Sequence, residues 1–308
     1  MTQNPTPTTP PRLSAKDFPP ELLQLYDFYA HGKITKRDFL EKAGRYALGG
    51  LTAIAVLNLM KPNYALAQQI DFTDPDIIAE YITYPSPNGH GEVRGYLVRP
   101  AVEGVAVVEP KGGVVVVHEN RGLNPYIEDV ARRTAKAGFV ALAPDGLSSL
   151  GGYPGNDDKG RELQSQVDPE KLMNDFFAAV EFLMASPMVN SKVGITGFCY
   201  GGGVANAAAV AYPELRAAVP FYGRQPDPQS AKDVKAALML HYASLDTRIT
   251  DGWPAYQEAL DAAGIPYEAF IYEGVNHGFH NDSTPRYDPQ AAELAWSRTI
   301  DLFNAQLA

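Results

Sequence analysis

The chain has 308 residues, 45% of them hydrophobic and 20% charged, a composition that can bury a full core and excludes a wholly disordered protein. Against 36 Asp and Glu stand 26 Lys and Arg, and the resulting formal charge of −10 repels a phosphate backbone, so nucleic acid is not an expected partner. One cysteine, Cys199, allows neither an intrachain disulfide nor a multi-thiolate metal site; it is either a buried filler or a reactive thiol.

Residues 1–19 are rich in Pro and Thr and poor in large apolar side chains, and read as disordered. Then come a basic tract, Thr35-Lys36-Arg37-Asp38-Phe39-Leu40-Glu41-Lys42, an apolar stretch from Ala47 to Met60, and Ala65-Leu66-Ala67. As a helix the apolar stretch spans about 21 Å, short of the ~30 Å hydrocarbon core, so no stable membrane span is expected. The order resembles a twin-arginine export signal, with Lys36 in place of the first arginine and Glu41 in place of the final lysine. That resemblance implies cleavage near Ala67, with residues 1–67 a disordered terminus plus leader and residues 68–308 a periplasmic or secreted product. In the alternative, Glu21 to Leu59 forms amphipathic helices docked on the domain, and a chain that keeps them is cytoplasmic.

Beyond residue 91, short β-branched runs alternate with longer alanine-rich amphipathic stretches, the pattern of an α/β fold with a mainly parallel central sheet and helices on both faces. Strands are predicted at Glu92–Arg99, Gly113–His118, Phe139–Ala143, Lys192–Thr196, Ala217–Phe221, Ala236–Tyr242 and Tyr267–Tyr272. Helices are predicted at Asn124–Ala137, Pro169–Met184, Gly202–Ala211, Gly252–Ala263 and Pro289–Gln306. Between Gly146 and Val167 no period is clear, and the stretch is either a pocket wall or lid or a solvent loop.

Gly197-Phe198-Cys199-Tyr200-Gly201-Gly202-Gly203 follows a predicted strand and opens a predicted helix, the setting of a nucleophile elbow. Small residues two before and two after the nucleophile let the strand and helix backbones approach, and Gly197 and Gly201 meet that need. The turn aims the amide of Tyr200 and the helix dipole at the reaction centre, favouring a thiolate at Cys199. Asp246 and His277 each follow a later strand, in the chain order nucleophile, acid, histidine. His277, flanked by glycine and close to its strand, is preferred as the base over His280, which is left as a pocket-rim or solvent-contacting residue. The nearest approaches to metal-ligand spacing, His277/His280 and His118/Glu119, resemble no known site, and neither metal nor cofactor is expected.

These residues, with Pro220-Phe221-Tyr222-Gly223 and His118-Glu119-Asn120-Arg121-Gly122-Leu123-Asn124, resemble the dienelactone hydrolase (carboxymethylenebutenolidase) family of α/β-hydrolases from about residue 80 to the end. The resemblance implies a hydrolase of small-molecule esters or lactones that works through a thioester on Cys199. It further implies that Glu119 lies near the nucleophile and governs its ionisation, and that the amides of Asn120 and Tyr200 bind the oxyanion. The family's two carboxylate-binding arginines have no clear counterpart: Asn281 stands where one is expected, Arg286 is the nearest arginine beyond it, and Arg161 matches the other only approximately. Arg121 is a candidate replacement or a surface residue. Tyr153, Phe198, Tyr222 and Phe279 are candidate pocket aromatics, with core packing as the alternative for each, and the expected assembly is a monomer or small homo-oligomer. A general esterase or thioesterase, and a non-catalytic binding module on the same fold, remain the rival readings.

Overall fold

The computed structural model describes residues 13–46, 50–102, 104–106 and 111–308; part of the expected disordered terminus and of the apolar stretch lies outside these residues. The chain opens with three short helices, α1 (Pro20–Ala30), α2 (Lys36–Ala43) and α3 (Ala53–Met60). Helices of 8 to 11 residues are marginal alone, so packing must hold them. Leu22, Tyr26, Phe39, Val56 and Met60 form their shared core. Thr35 caps α2 by accepting from the Asp38 amide, while the Asp38 carboxylate accepts from the Thr35 amide.

The structure corrects the expected disorder at residues 13–19, which are ordered, and shows the tract that resembles an export signal folded as helices. Residues 15–17 make a 3-10 turn, and Phe18 is only 5% exposed. Phe39, within the tract that resembles the export signal, is buried on α2, and the second half of the apolar stretch is α3, turned inward through Val56, Leu57 and Met60. As in the docked-helix alternative, this segment is helical, with three helices among the described residues.

The sheet begins with β1 (Ile77–Ser86), β2 (Gly91–Val102) and β3 (Val105–Ala106), then β4 (Gly113–Val117), α4 (Pro125–Lys136) and β5 (Val140–Pro144). It continues with α5 (Asp157–Gln164), α6 (Pro169–Met184), β6 (Val193–Phe198), α7 (Tyr200–Ala211), β7 (Ala217–Phe221), β8 (Ala237–Ala243), α8 (Thr247–Thr250), α9 (Trp253–Ala263), β9 (Tyr267–Tyr272) and α10 (Pro289–Leu307). The strand order is β1-β2-β5-β4-β6-β7-β8-β9, with β3 on β2; β1, β2 and β5 pair antiparallel, and β5 through β9 run parallel. β4 shows why its sequence is apolar throughout. Val115 and Val117 pack with Phe176 and Leu183 of α6 on one face, and Val114 and Val116 with Ile127 and Val130 of α4 on the other.

The predicted strands and helices from β2 onward are all present, with α7 beginning at Tyr200; β3, α8 and α5, the last inside the stretch read as aperiodic, were not predicted. β1 escaped the sequence reading because its outer residues, among them Glu80 and the half-exposed Tyr81, break the apolar run. No helix among the described residues is long and apolar enough to cross a membrane.

A buried ionic network ties the linker after α3 to the domain. Asp129 on α4 accepts from the amides of Gln69 and Ile70 and from Arg133 Nε at 2.6 Å, and Arg133 reaches Asp282 at 2.6 Å. Removing one member leaves buried guanidinium groups uncompensated, so Asp129→Ala should lower the unfolding free energy by about 3–5 kcal/mol, read from urea denaturation.

Candidate active site

At the junction of β6 and α7 the backbone turns sharply, and Cys199 carries it with φ 57° and ψ −110°, a region that non-glycine residues rarely occupy. A Cβ on Gly197 would lie 2.1 Å from the Gly201 carbonyl oxygen, and one on Gly201 would lie 2.3 Å from that of Val117. The ends of β6 and β4 and the start of α7 thus meet backbone to backbone, leaving no room for a side chain at either glycine. Tyr200, as the first residue of α7, has an amide without an intrahelical acceptor.

Asp246 follows β8 at the N-terminus of α8 but makes no capping bond with its side chain, so the carboxylate is free for other work. It accepts from His277 Nδ1 at 2.5 Å, and both side chains are buried. That contact, with Arg248 Nη2 also 3.1 Å from Nδ1, turns Nε2 away from the carboxylate and toward Cys199, to which it bonds. One ring nitrogen of His277 and the Cys199 sulfur belong to a cluster whose donor atoms lie within 4.8 Å of one another.

The third member of that cluster is His31, just past the end of α1. Its Nε2 is 3.2 Å from Cys199 Sγ, and its Nδ1 is 2.7 Å from the Asp27 carbonyl oxygen and 3.2 Å from the Asp27 carboxylate. The two imidazoles meet edge to face with centroids 4.8 Å apart. Two arginines complete the charge pattern: Arg248 reaches both Asp27 and Asp246 at 3.5 Å, and Arg286 reaches Asp27 at 3.1 Å. Among the described residues, His31, Cys199 and His277 are the one group with donors placed to hold a metal ion. Neither pair weighed from the sequence does so: His118 is turned to the Glu119 carbonyl and the Gly146 amide, and His280 to Tyr126.

These neighbours set the ionisation of the site. Burial alone pushes the Cys199 thiol up, but His277 and His31 together pull it down to about 5. Burial likewise favours neutral His277, yet Asp246 and the thiolate raise it to about 10. For His31 the thiolate and Asp27 also outweigh burial, and its pKa rises. His280 goes the other way, held neutral by burial with Arg133 and His241 nearby.

Other expected site residues fall differently. Glu119 is buried beside the site, but its carboxylate accepts from Asn281 Nδ2 at 3.0 Å and makes no hydrogen bond to the sulfur. Asn120 gives its side-chain amide to the Ala30 carbonyl at the end of α1, at 2.9 Å. Arg121 is not a surface residue: it is buried, pairs with Asp157 at 3.2 Å, and shares with Tyr153 a cavity that Cys199 does not line. Phe198 and Phe279 are core residues, fully buried, as their alternative reading held. Tyr222 is buried too, with its ring 4.9 Å from that of His277, so it backs the base. His280 is neither rim nor solvent contact, since it stacks on Phe198 inside the core. Asp27, His31 and Arg248 went unseen. For Arg248 the signal was its place two residues after Asp246; for His31 it was an imidazole followed by Gly32 at the end of an aromatic-rich helix.

A sequence model of the dienelactone hydrolase family matches residues 93–307. The chain belongs to the dienelactone hydrolase family. A second family model, described as YqhI-like, matches residues 10–47, so α1 and α2 carry a sequence pattern of their own. "Putative hydrolase fragment YghX" of Escherichia coli (strain K12) is 76% identical over 119 residues, 39% of this chain and 98% of that one. "Probable 2-oxo-3-(5-oxofuran-2-ylidene)propanoate lactonase" of Bradyrhizobium sp is 35% identical over 228 residues, 68% of this chain and 89% of that one. Among solved structures, "Putative Dienelactone Hydrolase from Klebsiella pneumoniae" superposes with a TM-score of 0.64 at 27% identity, over 74% of this chain and 98% of that one.

A thiol with a pKa of about 5 is ionised at neutral pH. Alkylation of the native protein by iodoacetamide should stay level from neutral pH downward and fall only as pH passes through about 5; a fall beginning near pH 8, as for an ordinary cysteine, would contradict this electrostatic arrangement.

Proposed function

We propose that the protein hydrolyses esters or lactones through a thioester on Cys199. The observation that carries the reading is the ring nitrogen and sulfur cluster at the elbow, with Asp246 Oδ2 2.5 Å from Nδ1 of His277. The Cys199 proton rests on His277, and the thiolate attacks the acyl carbon. The developing oxyanion takes hydrogen bonds from the amides of Tyr200 and Asn120, and Asp246 keeps the imidazole in the required tautomer. Expulsion of the alcohol leaves a thioester, which water cleaves to the acid. A thiolate leaves the tetrahedral intermediate more readily than an amide nitrogen does, so activated esters and enol lactones are better substrates than peptides.

The substrate class follows from chemistry and kinship together. The Bradyrhizobium relative bears the name of a lactonase, and we assign unsaturated lactones of the dienelactone type as the preferred class. A pocket of about 460 Å³ lies beside His277, walled by Asp27, Phe28, Arg248 and Arg286; Cys199 does not line it.

Mixing with p-nitrophenyl acetate should give a burst of p-nitrophenolate that disappears after alkylation. Cys199→Ala should abolish turnover while leaving the thermal transition in place, and His277→Ala should reduce kcat by several orders of magnitude. Unchanged turnover by Cys199→Ala would exclude the covalent route. Comparing kcat/KM for a dienelactone, a simple alkyl ester and an acyl thioester tests the class: the lactone should lead.

A further inference from the structure

We propose that His31, held by Asp27, is a second catalytic imidazole on Cys199, supplied by the N-terminal helices, and that it moves the proton on the substrate side while His277 stays paired with the sulfur. The proposal rests on the thioester reading above and adds a residue to it. Its ground is a repeated geometry. Asp246 fixes Nδ1 of His277, and Asp27 fixes Nδ1 of His31 through both its carbonyl and its carboxylate. Both rings bond the sulfur, and the His31 contact, at 3.2 Å, comes from the N-terminal helices. Asp27 is itself clamped by Arg286 and Arg248, so the His31 ring has a braced support of the kind a general acid needs.

The placement also assigns sides. His31 opens onto a cleft that it shares with Asn120, whose amide is one proposed oxyanion donor, and the Asn120 side chain is tied to Ala30 at the end of α1. We assign the departing oxygen of an acyl group on the sulfur to the side of His31, whose Nε2 is 3.2 Å from Sγ. His277 lines a separate pocket, with Asp246 and Arg248 on its Nδ1.

The proton balance closes. At rest Cys199 is a thiolate and both imidazoles are protonated. The thiolate forms the C–S bond, the C–O bond to the alcohol breaks, and the departing alkoxide takes the His31 proton from Nε2. Neutral His31 then accepts a proton from water. The hydroxide so formed attacks the thioester, the C–S bond breaks, and the thiolate returns beside protonated His277. Ester and water become acid and alcohol, with His31 restored. On this account the segment from α1 to α3 is retained in the working enzyme, whatever compartment holds it.

The test uses His31→Gln and His31→Asn in the full chain, with methyl and p-nitrophenyl esters of one acid. p-Nitrophenolate leaves without acid help, so at a pH high enough to ionise the thiol without His31 its burst should persist and iodoacetamide should alkylate Cys199 at close to the wild-type rate, while the alkylation profile shifts to higher pH. Acylation by the methyl ester, and deacylation of both, should fall by about 10²–10⁴, the usual worth of a general acid–base group. Wild-type turnover of both esters by these variants would overturn the proposal. So would equal losses in alkylation and in acylation by both esters, which mark a structural prop. If neither variant folds, 15N spectra of the wild-type histidines decide: on forming the acyl-enzyme His31 should become neutral, and a His31 signal that stays protonated refutes the role. Failure of the thioester reading itself shows elsewhere, in turnover by Cys199→Ala.

Discussion

A charged sulfur inside a protein is stable only if opposite charge and hydrogen-bond donors replace the water it has lost. That requirement organises this molecule. Cys199 is 9% exposed, on a strained turn, and its anion is matched by two imidazoles, each backed by a carboxylate. The carboxylates need compensation in turn, which Arg248 supplies by lying between Asp27 and Asp246, with Arg286 beyond. Six charged side chains thus form one alternating array around a single atom, and none is independent of the others. The close backbone packing at Gly197 and Gly201 fixes where that atom sits; the array fixes its charge.

The hydrolase part of this arrangement was legible in the sequence for a physical reason. Parallel strands buried on both faces read as unbroken apolar runs, and elbow glycines are demanded by contact between main chains, so both leave local marks. Asp246 and His277 could be placed because each follows a strand directly, and the ends of parallel strands share one edge of the sheet. His31 and Asp27 left no comparable mark. Their role depends on a contact with a residue 168 positions away, and the helix that carries them was taken for part of a leader. Basic, apolar and small residues in that order resemble an export signal, and they also describe short helices that bury their apolar sides against one another, as these do.

Glu119 shows the limit of reasoning by resemblance. Its position beside the site is as expected, but its carboxylate accepts from Asn281, while the sulfur meets His31.

The stretch between Gly146 and Val167, read as a wall or a solvent loop, is better described as a mooring. Asp158 on α5 receives Tyr29 at 2.7 Å and Lys61 at 2.8 Å, while neighbouring Asp157 receives Tyr64, Tyr153 and Arg121. A fragment trimmed to the region shared with shorter relatives would keep these two carboxylates and lose three of their partners. It would display bare acid where an intact chain displays a closed seam, and the ease of producing such a fragment would say little about the native enzyme.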